Sequence, residues 1–247
     1  MDPSARAPGE EARADGGVPR RGPAGRGGVR RRLLSLLVPL GWAVGLVPLF
    51  RLAVSGLTGG LGANPIAEGL NRLGFWTLTF LTLSLVPTPA HDLLGLTFPI
   101  RLRRTLGLLA FTYGSLHFAW YLGLDKFFDF REIAGDLAKR KFITVGFSSL
   151  VLLVPLAVTS TAGWVRRLGY RRWKGLHRLV YLAALLGVIH FLWRVKADHR
   201  RPAEFAVALG VLMLSRLPGL FRLGRPAGLS GRGPSRHGPD AGAKRVA

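Results

Sequence analysis

Long stretches almost free of charge alternate along this chain with short, strongly charged segments, and that segregation constrains the fold more than any other feature. Six apolar runs, Leu33–Phe50, Leu73–Val86, Thr105–Leu124, Phe142–Ser160, Leu176–Trp193 and Ala203–Leu217, have the length or near-length at which a helix crosses a bilayer. No water reaches the hydrocarbon, so each segment must satisfy its own backbone groups, and continuous apolar runs without period-two alternation select helices over a barrel. The expected fold is all-α, a polytopic bundle of about six transmembrane helices. The second run is short and ends at Pro87 and Pro89, and the sixth carries Glu204 and Arg216 near its ends.

Residues 1–32, rich in Arg, Gly, Pro and Ala without an apolar period, are expected to form a disordered basic tail, and residues 221–247 a second one. Between them, 33–220 is the membrane domain. Leu33–Phe50 has the basic flank of a signal peptide but no small-residue cleavage site, so it is read as an uncleaved first helix. The formal charge of +22 flanks the apolar spans instead of interleaving with aromatics, which argues for membrane lipid and against nucleic acid as the surface it meets. With Arg178 set aside, Lys and Arg number 23 on the side of both termini and 11 on the other. The positive-inside rule then places both termini in the cytoplasm of a bacterial inner membrane.

Six histidines carry the candidate chemistry. His199 and His237 fall in polar segments, whereas His117 and His190 sit deep in apolar spans, where an ionisable group is costly and points to function, the alternative being a neutral histidine bonded to a carbonyl of a neighbouring helix. His117 lies 12 residues and His190 14 residues from the same membrane face. At 1.5 Å rise per residue these are depths of roughly 18 and 21 Å, one level toward the outer face. Two imidazoles on facing helices at one level can be the axial ligands of a six-coordinate haem iron, an arrangement suited to electron transfer. The chain has no cysteine, so no thioether attachment is available and the haem would be held non-covalently.

His177, 13 residues before His190, would serve an inner site roughly 20 Å away, although an ideal helix turns the two side chains about 140° apart. Its partner could be His91, a non-histidine ligand, or none. Arg101, Arg103 and Arg104, with Arg171, Arg172 and Lys174, can bind haem propionates, a flavin phosphate or a quinone oxygen on the cytoplasmic side.

The motif GLGANP after the first span, the run RLRRTLGLLAFTYGSLHFAWY and the run LAVTSTAGWVRRLGYRRWKGLHRLVYLAALLGVIHFLW carry a family resemblance between about Leu57 and Lys196. Together with the order and spacing of the three histidines, they resemble the haem-binding membrane subunit of the bacterial periplasmic protein-methionine-sulfoxide reductase system, within the ferric-reductase-like transmembrane group. The resemblance implies that His117, His177 and His190 take the haem-ligand positions, with one or two b-type haems and flavin mononucleotide as cofactors. It further implies electrons arriving from the quinol pool or a cytoplasmic flavin reductase and leaving to a periplasmic molybdopterin catalytic subunit. That subunit would reduce methionine sulfoxide in oxidised envelope proteins. No catalytic site for sulfur chemistry is expected on this chain. The Arg/Gly/Pro-rich tails and His91 depart from the family pattern.

Two other readings use the same spans. A stand-alone ferric or quinone reductase would call for a flavin and nicotinamide domain, and the C-terminal tail is too short for one. A proton-coupled transporter would need acidic partners within the spans, and their middles contain no Asp or Glu.

Overall fold

The computed structural model describes residues 26–96 and 98–216. Among them the chain is helical without a strand. The elements are α1 (Arg26–Leu57), α2 (Pro65–Leu85), α3 (Pro87–Leu94), α4 (Phe98–Trp120) with a π-helical extension at Tyr121–Asp125, α5 (Phe130–Lys139), α6 (Lys141–Val158), α7 (Ala162–Leu168), α8 (Tyr170–Leu176), α9 (Leu179–Arg194) and α10 (Arg200–Leu214). Of the two expected tails, residues 1–25 and all of 221–247 lie outside the described residues. α1 begins at Arg26 instead of Leu33, its arginines being good helix formers.

Four stretches are long and apolar enough to cross a membrane, Leu36–Leu57, Pro65–Asp92, Lys141–Val158 and Tyr170–Arg194. The expected six become four by that measure because α4 opens on Arg101, Arg103 and Arg104, and α10 is 15 residues long with Arg200, Arg201 and Glu204 in its first turns. Pro87 does not end the second span. It occupies the first turn of α3, where its missing N–H costs nothing, and the chain stays helical across the junction.

Two antiparallel pairs, α2 with α4 and α6 with α9, make the most extensive contacts and enclose the core of Leu73, Leu81, Leu109, Tyr113, Ala183 and Ala184. Val44 and Phe50 on α1, Val151 and Val154 on α6, and Val207 and Val211 on α10 are exposed, as lipid-facing side chains are. Between helices in lipid no hydrophobic force acts, so close packing must supply the attraction. Gly41 and Gly45 bring α1 onto α4. A Cβ on Gly45 would lie 2.3 Å from Leu109 Cδ1.

One side chain locks this contact. The Tyr113 hydroxyl donates to the Gly45 carbonyl at 2.8 Å and accepts from the Leu49 amide at 2.9 Å. Those two backbone groups would otherwise bond each other, so the phenol is inserted into the α1 ladder beside Pro48, a position at which helices bend. Tyr113→Phe should therefore reduce stability by about 1–2 kcal/mol, read as a lower melting temperature in detergent micelles. An unchanged melting temperature would mean that the α1 ladder closes on itself at no cost.

Candidate functional site

His117 leaves α4 toward α2, and His190 leaves α9 toward α6. Each settles over a glycine of the neighbouring helix: a Cβ on Gly74 would come within 3.2 Å of the His117 ring, and one on Gly146 within 2.5 Å of the His190 ring. One turn before each glycine, a carbonyl takes the imidazole. His117 Nδ1 donates to the Leu70 carbonyl at 3.0 Å, and His190 Nδ1 to the Phe142 carbonyl at 2.7 Å. The two helix pairs thus build the same seat twice, a carbonyl at position i and a glycine at i+4.

A carbonyl only accepts, so Nδ1 must carry the proton in both rings, which leaves the Nε2 lone pair of each neutral imidazole free. Neither Nε2 has a hydrogen-bond partner among the described residues. Metal-ligating histidines are oriented in this way, by a bond from the other ring nitrogen to a carbonyl or carboxylate.

The two rings face one cavity enclosed by α2, α4, α6 and α9, with centroids 6.2 Å apart and planes at 85°. Metal–imidazole bonds of about 2 Å on both sides of a single ion, with each ring centre roughly another 1 Å behind its nitrogen, require about 6 Å. Among the described residues no cluster of three or more His, Cys, Asp or Glu can hold a metal. An ion gripped by these two rings must therefore bring its remaining ligands with it, as macrocycle-bound iron does. The cavity walls suit an apolar macrocycle: Leu78, Leu81, Phe118, Leu150 and Leu153 line it, and Gly114 and Gly187 leave room between them.

At the end of the bundle that carries α5, the cavity is bordered by Asn71, Asp125, Arg140 and Arg194. Lys126 is the hub of this end. It is nine-tenths buried and bonds Glu132 and, at 3.1 Å, Asp136, with Asp125 ion-paired at 3.9 Å, while Arg140 holds the other Asp136 oxygen at 2.9 Å. The Glu132 carboxylate raises the Lys126 ammonium above its ordinary range, against the effect of burial. For Asp136, burial pushes upward, but the bonds from Lys126 and Tyr121, with Arg140 nearby, hold the carboxyl below its usual range. Two left-handed residues, Phe127 and Phe128, turn the chain into α5, a backbone state costly for aromatic side chains.

His177 stands apart, in a second cavity at the α8 end. Its ring packs on Trp173 with centroids 4.1 Å apart and planes tilted by 32°. Its Nε2 lies 3.2 Å from the Thr159 hydroxyl, which spends its own proton on the Pro155 carbonyl. Nε2 is therefore the protonated nitrogen here and Nδ1 the free one, the reverse of the other two histidines. Arg103, Lys174, Arg178 and Arg216 line this cavity along with Asp92 and Met213. Of the arginines singled out in the sequence, Arg103 reaches it, whereas Arg101 and Arg104 do not line it. His91 also stays out, exposed and bonded to Asp92 at 3.1 Å.

The sequence reading missed Gly74, Gly146, Arg140 and Arg194. Arg194 had a signal, since it follows His190 by four residues and so shares its helix face.

The family described as ferric reductase like transmembrane component matches residues 73–188. Among its relatives are proteins named protein-methionine-sulfoxide reductase heme-binding subunit MsrQ. That of Rhodospirillum rubrum is 53% identical over 190 residues, covering 77% of this chain and 89% of its own length. That of Deinococcus radiodurans is 50% identical over 184 residues, covering 74% and 90%. That of Herminiimonas arsenicoxydans is 48% identical over 186 residues, covering 74% and 85%.

Proposed function

Because the chain belongs to the family of haem-binding subunits of protein-methionine-sulfoxide reductases, we propose that it conducts electrons across the membrane, with one b-type haem held between His117 and His190. The observation that carries this is the pair of imidazoles 6.2 Å apart, each fixed through Nδ1 and each with Nε2 free. Haem bound there supplies a one-electron couple. The protein fixes the tautomer of both imidazoles, whose Nε2 atoms would hold the iron, and lines the cavity with apolar side chains that would keep water and substrate from it.

In this proposal α4 and α10 also cross the bilayer, which restores the six spans. The excess of Lys and Arg at the α8 end supports an orientation with that end and both termini in the cytoplasm of an inner membrane, and the α5 end outside. His177 then serves the entry side. Four cations against the single carboxylate of Asp92, with Tyr170, Trp173 and Tyr181 as stacking faces, suit an anionic or quinoid redox group: a second haem, flavin mononucleotide or a quinone. Arg103 belongs to this entry site, and Arg101 and Arg104 flank it on the same turns of α4. The donor is the quinol pool or a cytoplasmic flavin reductase. The acceptor is the periplasmic molybdopterin methionine-sulfoxide reductase, where the chemistry on sulfur takes place.

An absorption spectrum of the purified full chain, with haem quantified by pyridine haemochrome, tests the proposal. A Soret band of a six-coordinate low-spin haem is expected, and His177→Ala should leave the part due to the His117–His190 site in place. A chain purified without a Soret band, even when expressed with a haem precursor, would overturn the electron-carrier reading and favour a transporter.

A further inference from the structure

We propose that Arg194 is the anchor for a haem carboxylate at the α5 end, an assignment that rests on the haem reading of the His117–His190 cavity. Haem is an apolar disc with two propionates on one edge, so a cavity that encloses it must offer those anions water or a cation. Among the described residues, the cations that line this cavity are Arg140 and Arg194. Arg101, Arg103 and Arg104 are not in its wall, so the propionate role suggested for them by sequence cannot be exercised here.

The two cations are not equivalent. Arg140 is already neutralised, its Nε lying 2.9 Å from Asp136. Asp125 borders the same mouth but is ion-paired with Lys126. Among the described residues, no carboxylate lies within 4.0 Å of Arg194, which is half-buried and bonds through one Nη to the neutral side-chain oxygen of Asn71. A guanidinium has five N–H donors in a planar fork matched to a carboxylate, and one bond to an amide leaves most of them unused. Withdrawing a cation from water without a counter-charge is costly, and a cofactor carboxylate supplies that charge.

Position agrees with chemistry. Arg194 follows His190 by four residues on α9, so its side chain rises over the same face about one turn beyond the imidazole. Asn71 follows Leu70, whose carbonyl orients His117, and the Asn71–Arg194 bond therefore ties the α2–α4 seat to the α6–α9 seat at the cavity mouth. One side chain would then fix the carboxylate edge of the haem and set the local charge felt by the iron.

The test uses the full chain in nanodiscs, comparing unaltered protein, Arg194→Gln and Arg194→Lys. Two readouts are taken: haem transfer to excess apomyoglobin, and redox titration of the His117–His190 haem. Arg194→Gln should release that haem about tenfold faster and lower its midpoint potential, because a positive charge beside the iron favours the ferrous state. Arg194→Lys, keeping the charge without the fork, should recover most of the potential and less of the retention. Unchanged release and unchanged potential in Arg194→Gln would overturn the assignment.

Should Arg194→Gln not accumulate, unaltered apoprotein loaded with the dimethyl ester of haem puts the same question from the ligand's side. The ester should leave about tenfold faster than haem, and equal retention of the two would overturn the proposal. His117→Ala under the same conditions keeps the underlying cavity reading separate: if that variant retains its full haem with an unchanged low-spin signal, the reading itself has failed, not only the role of Arg194.

Discussion

His117→Ala and His190→Ala should each eliminate one low-spin haem per chain and, with it, electron delivery to the methionine-sulfoxide reductase. The two imidazoles face one cavity with centroids 6.2 Å apart, so either substitution removes one of the two residues that would hold the iron. Folding should survive the change. The Leu70 and Phe142 carbonyls lie inside α2 and α6, where they already accept ladder bonds, and each imidazole takes only the second lone pair. The expected result is thus a membrane-inserted, well-folded chain whose low-spin spin-resonance signal for that site is absent. Adding free imidazole to either variant should restore part of the Soret band, because the alanine leaves a ring-sized space beside an intact carbonyl. Full haem content with an unchanged low-spin signal in both variants would remove these histidines from the iron.

The depth match between His117 and His190 was legible in the sequence because it depends only on rise per residue and on where each apolar run begins. Nothing in the one-dimensional pattern indicated that the rings would rest on glycines of other helices. Gly74 and Gly146 become informative only when α2 is paired with α4 and α6 with α9, and single glycines are too common in membrane helices to single out beforehand. For His177 the expected separation came from the rise of 13 residues along a helix, and its side chain lines a second cavity at the α8 end, where α8 and α9 meet at His177–Arg178. The reading of Pro87 and Pro89 as a terminus treated proline as a stop signal, whereas proline in the first turn of a helix is tolerated, and α3 begins there. Three arginines on the first turns of α4 stood out by clustering, while Arg194, isolated and one turn past a histidine, has the more specific place beside the cavity.

Gly146→Ala should cost nearly as much haem as losing His190 itself, whereas Gly74→Ala should be close to silent. The contrast follows from the two distances. An alanine Cβ at position 146 would sit 2.5 Å from His190 Nδ1, the atom that donates to the Phe142 carbonyl, and 2.8 Å from Cε1, so methyl and ring cannot both keep their places. Moving the ring breaks its bond to the carbonyl, frees the tautomer and turns Nε2 away from the cavity, and overpacking of this kind costs about 1–3 kcal/mol before any loss of ligation is counted. At position 74 the nearest His117 atoms are 3.2 and 3.3 Å away, a shortfall of a few tenths of an ångström that a small shift of α2 against α4 absorbs. Haem per chain, measured on purified Gly146→Ala, Gly74→Ala and the unaltered protein, should fall sharply only in the first, with retained helical circular dichroism in all three. Equal haem content in the two glycine variants would show that the His190 ring is not held against α6, and the repeated carbonyl–glycine seat would lose its role in aiming the ligand.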